Sequence, residues 1–300
     1  MADPVERAAI ELYDRFTHED GRVDRRAFMA ELTRICGGAA AASAMLTSVA
    51  CSAESAPIMP ADDRRIHSEN GSVDLGAGNI YRVYRASPAG AGWRTPAVMV
   101  IHENRGLNDY IRDVTRRLAI AGFAAEAPDL LSPAGGTPAD EDRARQMIGA
   151  LDPARTVADG LSLIQDFGTR SRNGRPVGIL GFCWGGGMVD RLAVAAGQAP
   201  GGSPLAAAVS FYGPAPAPAD AVHVQVPLLL HFAGLDSRVD QLGAPWVAAL
   251  QAAHKDVTAI TYPNVDHAFH NDTSAARYNR EAAERAWATT LDFFRRHLRV

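Results

Sequence analysis

The stretch that decides the fold of this 300-residue chain is Val177-Gly178-Ile179-Leu180-Gly181-Phe182-Cys183-Trp184-Gly185-Gly186-Gly187. Its start predicts a short buried strand, and a helix to about residue 196 follows the glycines. Cys183 stands between them in the pattern G-x-S-x-G, with Cys in place of Ser. Small residues two positions to either side permit a strained turn that exposes a nucleophile at the carboxyl end of a sheet. The alternative is a buried structural cysteine in a glycine-rich packing turn.

On both sides of this turn, short apolar runs alternate with amphipathic stretches. The apolar runs predict strands at 80–85, 97–101, 123–127, 177–180, 205–211, 227–232 and 257–262. Helical spacing predicts helices at 109–121, 154–167, 244–254 and 280–298. Such alternation predicts an α/β fold, with a mostly parallel central sheet and helices on both faces, in one domain over residues 61–300.

The chain supplies an acid and a base after the candidate nucleophile. Asp236 follows a predicted strand in a glycine turn, and His267 lies between the last strand and the last helix. With a glycine-flanked nucleophile of this kind, the order along the chain is nucleophile, acid, base. An imidazole can take the thiol proton and return it to a leaving group. Asp240 and Asp266 compete as the acid, His270 competes as the base, and Asp236 has the alternative role of a helix cap.

The loop after the first buried strand carries more candidates, in the run His102-Glu103-Asn104-Arg105-Gly106-Leu107-Asn108. One backbone N–H from this loop and one from the residue after the nucleophile stabilise an oxyanion in such sites. We expect Asn104 and Trp184 to provide them. Glu103 would place a carboxylate at the mouth of the site, and its alternative is a solvated residue paired with Arg105. Arg105 is itself a candidate anion binder, since guanidinium groups suit carboxylates.

Composition limits the classes of function. A net charge of −4 and a pI of about 6.1 give no electrostatic basis for binding nucleic acid, so we expect a small-molecule partner. The three cysteines are Cys36, Cys51 and Cys183, an odd number without C-x-x-C spacing. We therefore expect neither a disulfide framework nor a metal or other cofactor.

Residues 1–60 form an N-terminal extension. Arg25-Arg26, followed by the uncharged stretch 35–53, resembles a twin-arginine export signal with a cleavage site at Ser48-Val49-Ala50. The stretch is too rich in Ala and Gly for a stable membrane span, and Ser48 makes a lipid anchor on Cys51 a weaker interpretation. Export predicts a periplasmic or secreted protein. The alternative is a retained helical extension in a cytoplasmic protein, which the acidic residues around the arginine pair favour.

Together these motifs resemble the dienelactone hydrolase (carboxymethylenebutenolidase) family over residues 70–298. Further matches are Ala127-Pro128-Asp129-Leu130 and the pair His267 and Phe269. The resemblance implies an α/β-hydrolase fold and a triad of Cys183, His267 and Asp236 that hydrolyses esters or lactones through a thioester. It also implies that Glu103 contacts the resting thiol and helps to generate the thiolate when substrate binds.

Two positions depart from the family's pattern. The type enzyme has an arginine four residues after its catalytic histidine, where it holds the substrate carboxylate, and this chain has Asn271 there. Ala268 replaces a serine. Arg143 and Arg145 are candidate matches for a second carboxylate-binding arginine. Because a bidentate arginine contact is lost, we expect a substrate other than dienelactone.

Two other functions fit parts of the pattern. A non-catalytic binding protein on a hydrolase scaffold would bind ligands without acylation of Cys183. A thiol redox protein would use Cys183 as a peroxide sensor, but residues 61–300 contain no second cysteine to resolve a sulfenic acid. The complete set of nucleophile, acid and base favours the hydrolase.

Overall fold

The computed structural model describes residues 4–18, 24–50, 59–172 and 175–298. Over these ranges one sheet contains eight strands, which are β1 Ile66–Asp74, β2 Ile80–Pro88, β3 Ala97–Ile101, β4 Ala124–Pro128, β5 Val177–Phe182, β6 Leu205–Phe211, β7 Leu228–Ala233 and β8 Val257–Tyr262. The helices are α1 Pro4–His18, α2 Arg25–Cys36, α3 Ala39–Ala50, α4 Asp109–Ile120, α5 Glu141–Gly149, α6 Pro153–Arg172, α7 Trp184–Gly197, α8 Ser237–Ala252 and α9 Arg280–His297.

The strand order is β1-β2-β4-β3-β5-β6-β7-β8. β2 runs antiparallel to β1 and β4, whereas the other neighbouring strands are parallel. Parallel neighbours need crossover connections, and the helices between the strands supply them. The carboxyl ends of β3, β5, β7 and β8 therefore open on one edge of the sheet, where their loops meet. The prediction of a mostly parallel sheet is confirmed.

Helices cover both faces of the sheet because its strands are apolar on both sides. In β3, Val98 and Val100 belong to one core, and Met99 and Ile101 belong to the opposite one. α4 and α9 pack on the first face, and α6, α7 and α8 pack on the second. A near-continuous apolar strand requires cover on both faces, as the sequence predicted.

Some elements differ from the sequence-based expectation. β1 has no predicted counterpart because this edge strand is mostly polar, with Ile66 and Val73 as its buried side chains. α5 has no predicted counterpart either. α8 begins well before the predicted start at residue 244, since Asp236 accepts a hydrogen bond from the Val239 N–H at 3.1 Å and caps the helix. Pro245, next to that predicted start, lies inside the helix instead.

The N-terminal extension contains α1, α2 and α3, which pack around an apolar core of their own. Asp24 caps α2 by accepting a hydrogen bond from the Arg26 N–H at 3.1 Å. Gly37, with φ 72°, takes the left-handed conformation that ends α2. Among the helices of the described ranges, none combines the length and apolar character that crossing a bilayer requires. Cys51 lies outside the described residues, and the boundary at residue 60 and export stay predictions.

Candidate active site

Cys183 occupies a sharp turn between β5 and α7. Its φ of 55° and ψ of −121° form a conformation that a non-glycine residue keeps only under tertiary constraint. Close packing supplies the constraint, since a Cβ on Gly181 would lie 2.3 Å from the Gly185 carbonyl oxygen. A Cβ on Gly185 would lie 2.3 Å from the His102 carbonyl oxygen. The strained turn expected from the sequence pattern is therefore present, with Cys183 at its apex.

His267 and Asp236 meet at the carboxyl edge of the sheet. Asp236 follows β7 and His267 follows β8, and the two strands pair in parallel. His267 Nδ1 lies 2.5 Å from Asp236 Oδ2 and donates to it, because an ionised carboxylate only accepts. The His267 ring also interacts with Cys183, whose charge favours the protonated ring. Asp236 Oδ1 caps α8, so its two anticipated roles use different oxygens.

Burial and mutual charge set the ionisation of these three residues. Burial lowers the pKa of His267, but the charges of Cys183 and Asp236 and the hydrogen bond to Asp236 raise it to about 10. Burial raises the pKa of Asp236, but the charge and hydrogen bond of His267 hold it at about 2. At neutral pH, His267 is an imidazolium and Asp236 is a carboxylate. An imidazolium favours a thiolate beside it and can give a proton to a leaving group.

The competing residues have other surroundings. His270 is buried, and its Nδ1 lies 2.7 Å from the Tyr110 hydroxyl. Burial lowers the pKa of His270 well below its usual value, so it stays neutral in the core. Asp240 lies within α8, where burial raises its pKa to about 6. Asp266 is half-buried in the loop between β8 and α9. The structure thus brings Asp236, among the three candidate acids, to the ring of His267.

Glu103 lies in the loop after β3, with 4% of its surface exposed. The His102 ring fixes this loop: its Nε2 accepts from the Leu130 N–H at 3.1 Å, so the proton is on Nδ1. Nδ1 donates to the Glu103 carbonyl oxygen at 2.7 Å. Glu103 Oε2 accepts a hydrogen bond from Asn271 Nδ2 at 3.1 Å. The alternative of a solvated Glu103 is therefore wrong.

The pKa of Glu103 follows from its burial. Burial and the neighbouring Cys183 raise the pKa to about 7, although the charge of Arg105 acts in the opposite direction. Arg105 also pairs with Glu141, at 3.4 Å. Glu103 can therefore gain or release a proton near neutral pH, beside the sulfur.

The two expected oxyanion donors lie in segments that meet at Cys183. Trp184 is the first residue of α7, so its N–H is among the first four of the helix, which have no intrahelical acceptor. Asn104 lines the same cavity as Cys183. The Trp184 ring stacks on His102 at 5.6 Å between centroids and links the two segments. The positive end of the α7 dipole also favours negative charge at this point.

A cavity of about 400 Å³, counting its mouth, lies over Cys183. Its lining residues are Tyr13, Glu103, Asn104, Arg105, Cys183, His267, Ala268, Asn271, Ser274 and Arg277. Arg105 lines this cavity, whereas neither Arg143 nor Arg145, both on α5, is among its lining residues, and Arg143 is exposed. Arg145 donates from Nη1 to the Tyr13 hydroxyl at 2.9 Å. Arg143 and Arg145 have different surroundings because residues two positions apart on a helix face different directions.

Three lining residues carry no signal in the sequence. Tyr13 belongs to the N-terminal extension, and Ser274 and Arg277 lie in the loop between β8 and α9. No motif marks them, because their role depends on how distant segments pack. The described residues contain no group of three or more His, Cys, Asp or Glu side chains that could hold a metal ion.

The body of the chain is similar to known hydrolases. The model of the dienelactone hydrolase family matches residues 81–298. A Saccharolobus solfataricus protein, provisionally named carboxymethylenebutenolidase, is 33% identical over 236 residues, which cover 67% of this chain and 89% of that protein. A relative with the same provisional name, from Escherichia coli O157:H7, is 31% identical over 236 residues and covers 73% of this chain and 84% of its own.

Solved structures agree with this match. A crystal structure from Klebsiella pneumoniae subsp. pneumoniae, provisionally named dienelactone hydrolase, has a TM-score of 0.68 and 27% identity to this chain. The alignment covers 77% of this chain and 98% of that one. Dienelactone hydrolase from Anabaena variabilis has the same fold, with a TM-score of 0.61 and 23% identity, over 78% of this chain and 100% of that one. The chain is therefore a hydrolase that belongs to the dienelactone hydrolase family.

Proposed function

We propose that this protein hydrolyses ester or lactone bonds of small molecules through a Cys183 thiolate and an acyl-thioester intermediate. The observation that carries the proposal is that Cys183 and His267 line one cavity and interact there, while Asp236 holds the far side of the His267 ring by a hydrogen bond. A strained turn presents the sulfur, and an imidazolium fixed by a buried carboxylate lies beside it. This arrangement suits attack on an acyl carbon followed by protonation of the leaving oxygen.

Glu103 acts in the first proton transfer. With a pKa of about 7, its carboxylate can accept the proton of the Cys183 thiol when substrate enters the cavity. The product of this transfer is a thiolate beside the His267 imidazolium, while Glu103 becomes neutral. The neutral form of Glu103 does not repel the negative sulfur that the transfer creates, whereas an ionised Glu103 would.

Acylation then follows from the positions of the groups. The thiolate adds to the substrate carbonyl carbon, and the N–H groups of Trp184 and Asn104 stabilise the oxyanion. The carbon–oxygen bond to the leaving group breaks, and His267 gives that oxygen its proton. An alcohol departs from an ester, whereas a lactone ring opens and the new hydroxyl stays attached to the acyl group.

Deacylation uses the same groups in reverse. Neutral His267 takes a proton from a water molecule, whose oxygen adds to the thioester carbon. The carbon–sulfur bond breaks, the carboxylic acid product leaves, and the sulfur recovers the proton held by Glu103. His267 is again an imidazolium, so the next cycle begins with the same number of protons on the enzyme.

Rates with p-nitrophenyl acetate and with dihydrocoumarin test this function. We expect turnover of both by the wild type and a loss of about a thousandfold or more in Cys183→Ala. Cys183→Ser should also be slow, because a hydroxyl is too weak an acid to lose its proton to a carboxyl group with a pKa of about 7. Equal rates for the wild type and Cys183→Ala would overturn the proposal.

A further inference from the structure

A residue of the N-terminal extension lies in the candidate active site. Tyr13, on α1, lines the same cavity as Cys183 and His267. The match to the hydrolase family begins only at residue 81, so Tyr13 is an addition to the catalytic body. The extension therefore contributes a side chain to the wall of this cavity.

Tyr13 is bound by arginines. Its hydroxyl accepts hydrogen bonds from Arg145 Nη1, at 2.9 Å, and from Arg105. The guanidinium carbons of Arg145 and Arg277 lie 5.5 Å and 5.4 Å from the centre of its ring, within the range of a cation–π contact. Three guanidinium groups from three separate segments of the hydrolase body therefore converge on one phenol.

The extension holds Tyr13 in place through its own packing. Tyr13 is 7% exposed, and its ring meets Phe28 of α2 edge-on, with 6.3 Å between centroids. Ile10 and Leu32, which are almost fully buried, belong to the same core of α1, α2 and α3. A side chain supported in this way is a fixed part of the cavity wall.

The arginine cluster has the chemistry of an anion site. Guanidinium groups donate bidentate hydrogen bonds to carboxylates, which is a stronger contact than one to a neutral phenol. Carboxylates already pair with members of the cluster: Arg105 pairs with Glu141, and Arg145 pairs with Asp142. Those carboxylates are 36% and 53% exposed, so solvent screens them.

We propose that Tyr13 is a specificity-determining residue that occupies the anion-binding position of Arg105, Arg145 and Arg277, so that the full chain favours uncharged esters over carboxylate-bearing ones. The inference rests on the proposed function for its kinetic test. It also implies that cleavage after Ala50, as in export, would remove this restriction together with α1.

The kinetic test compares two esters of matched length, p-nitrophenyl butyrate and mono-p-nitrophenyl succinate. In Tyr13→Ala we expect the ratio of kcat/KM for the anionic ester to that for the neutral ester to rise about tenfold, the worth of one charge-assisted hydrogen bond. Tyr13→Phe, which keeps the ring and preserves packing, should raise the ratio about threefold. Adding Arg145→Gln to Tyr13→Ala should cancel most of the rise.

Arg143→Gln is the matched control, because Arg143 is exposed on the same helix as Arg145 and lies outside the cavity. It should leave the ratio at the wild-type value. A ratio that stays unchanged in Tyr13→Ala, or a rise that survives Arg145→Gln, would overturn the inference.

Binding of succinate, measured by calorimetry, tests the inference without turnover. We expect Tyr13→Ala to bind succinate about tenfold more tightly than the wild type, and the double variant to lose this gain. If neither ester is hydrolysed but succinate binds as expected, the proposed function fails and the inference stands. Equal succinate affinity in the wild type and Tyr13→Ala would overturn the inference whatever the rates.

Discussion

Asn271 Nδ2 donates a hydrogen bond to Glu103 Oε2 at 3.1 Å, and both side chains are buried. The amide cannot turn freely, because its Oδ1 accepts from the N–H of Thr273 at 3.0 Å and from the Thr273 hydroxyl at 2.6 Å. A neutral donor therefore holds the Glu103 carboxylate at the position where the family's type enzyme has an arginine. An amide stabilises the ionised form less than a full positive charge would, which is consistent with a pKa of about 7.

Asn271→Asp should make the fold sensitive to pH. The new carboxylate would face Glu103 Oε2 at the present 3.1 Å contact, so the two groups would have to share a proton. At pH 5 one of the two carboxyl groups is protonated and can donate to the other, whereas at pH 8 the loss of that proton leaves two negative charges buried side by side. Relative to the wild type at the same pH, we expect the free energy of unfolding of Asn271→Asp to fall by about 2 kcal/mol more at pH 8 than at pH 5. Urea titrations measure this, with the exposed Asn264→Asp as control.

Glu103→Gln should stabilise the protein at alkaline pH. The pKa of Glu103 is about 7 in the folded state and about 4.3 when unfolded, so the folded chain binds more protons between these values. Stability from this group is therefore present at low pH and is lost as pH rises through about 7. Glutamine does not ionise, so the variant should gain up to about 3 kcal/mol on the wild type between pH 4 and pH 8. Urea titrations at a series of pH values measure the free energy of unfolding of the wild type and of Glu103→Gln. If the difference between the two proteins stays the same from pH 4 to pH 8, this account is contradicted.

Asp236→Asn should lower kcat without loss of the fold. Asparagine can still cap α8, because its side-chain oxygen can accept from the Val239 N–H as Asp236 Oδ1 does. After the charge of Cys183, the charge of Asp236 is the next largest influence that raises the pKa of His267, so its removal lowers that pKa and also removes the acceptor that orients the ring. We expect a decrease in kcat on the order of a thousandfold. Assays with p-nitrophenyl acetate measure kcat, and a melting curve measures whether the fold is kept. Near-normal turnover would contradict the role of Asp236.

Gly185→Ala should disrupt the turn that presents Cys183. The added Cβ would lie 2.3 Å from the backbone oxygen of His102 and 2.5 Å from that of Ile101, and neither can move without displacing β3 or its loop. We expect a loss of several kcal/mol in unfolding free energy, or insoluble protein. Gly92→Ala is the control, since a Cβ there meets nothing within 4 Å. Wild-type stability and activity in Gly185→Ala would contradict the described packing.

Local sequence patterns were sufficient to predict seven of the eight strands and to select Cys183, Asp236 and His267 as candidates, which the structure places close together. Glycines around Cys183 imply a tight turn by steric argument alone, and Asp236 and His267 follow strands whose parallel pairing brings their ends together. The sequence left open whether Asp236 caps a helix or orients His267. In the structure Asp236 does both, because one carboxylate oxygen caps α8 and the other accepts from His267.

Features that depend on contacts between distant segments left no such pattern. Tyr13 reaches Arg145 across 132 positions of sequence, and nothing in α1 distinguishes that tyrosine from an ordinary core residue. The sequence alone did not show that Arg145, and not Arg143, contacts Tyr13, because this depends on which side of α5 faces α1. β1 escaped prediction because an edge strand needs little apolar surface, and its pairing with β2 supplies most of its contacts.

Intact-protein mass spectrometry after a rapid acid quench tests the central claim most directly. During turnover of p-nitrophenyl acetate, the wild type should gain the mass of one acetyl group, and peptide mapping should place it on Cys183. Cys183→Ala should gain nothing, while His267→Ala should acylate much more slowly. Acetylation at another residue, or an equal mass gain in Cys183→Ala, would contradict a cysteine nucleophile.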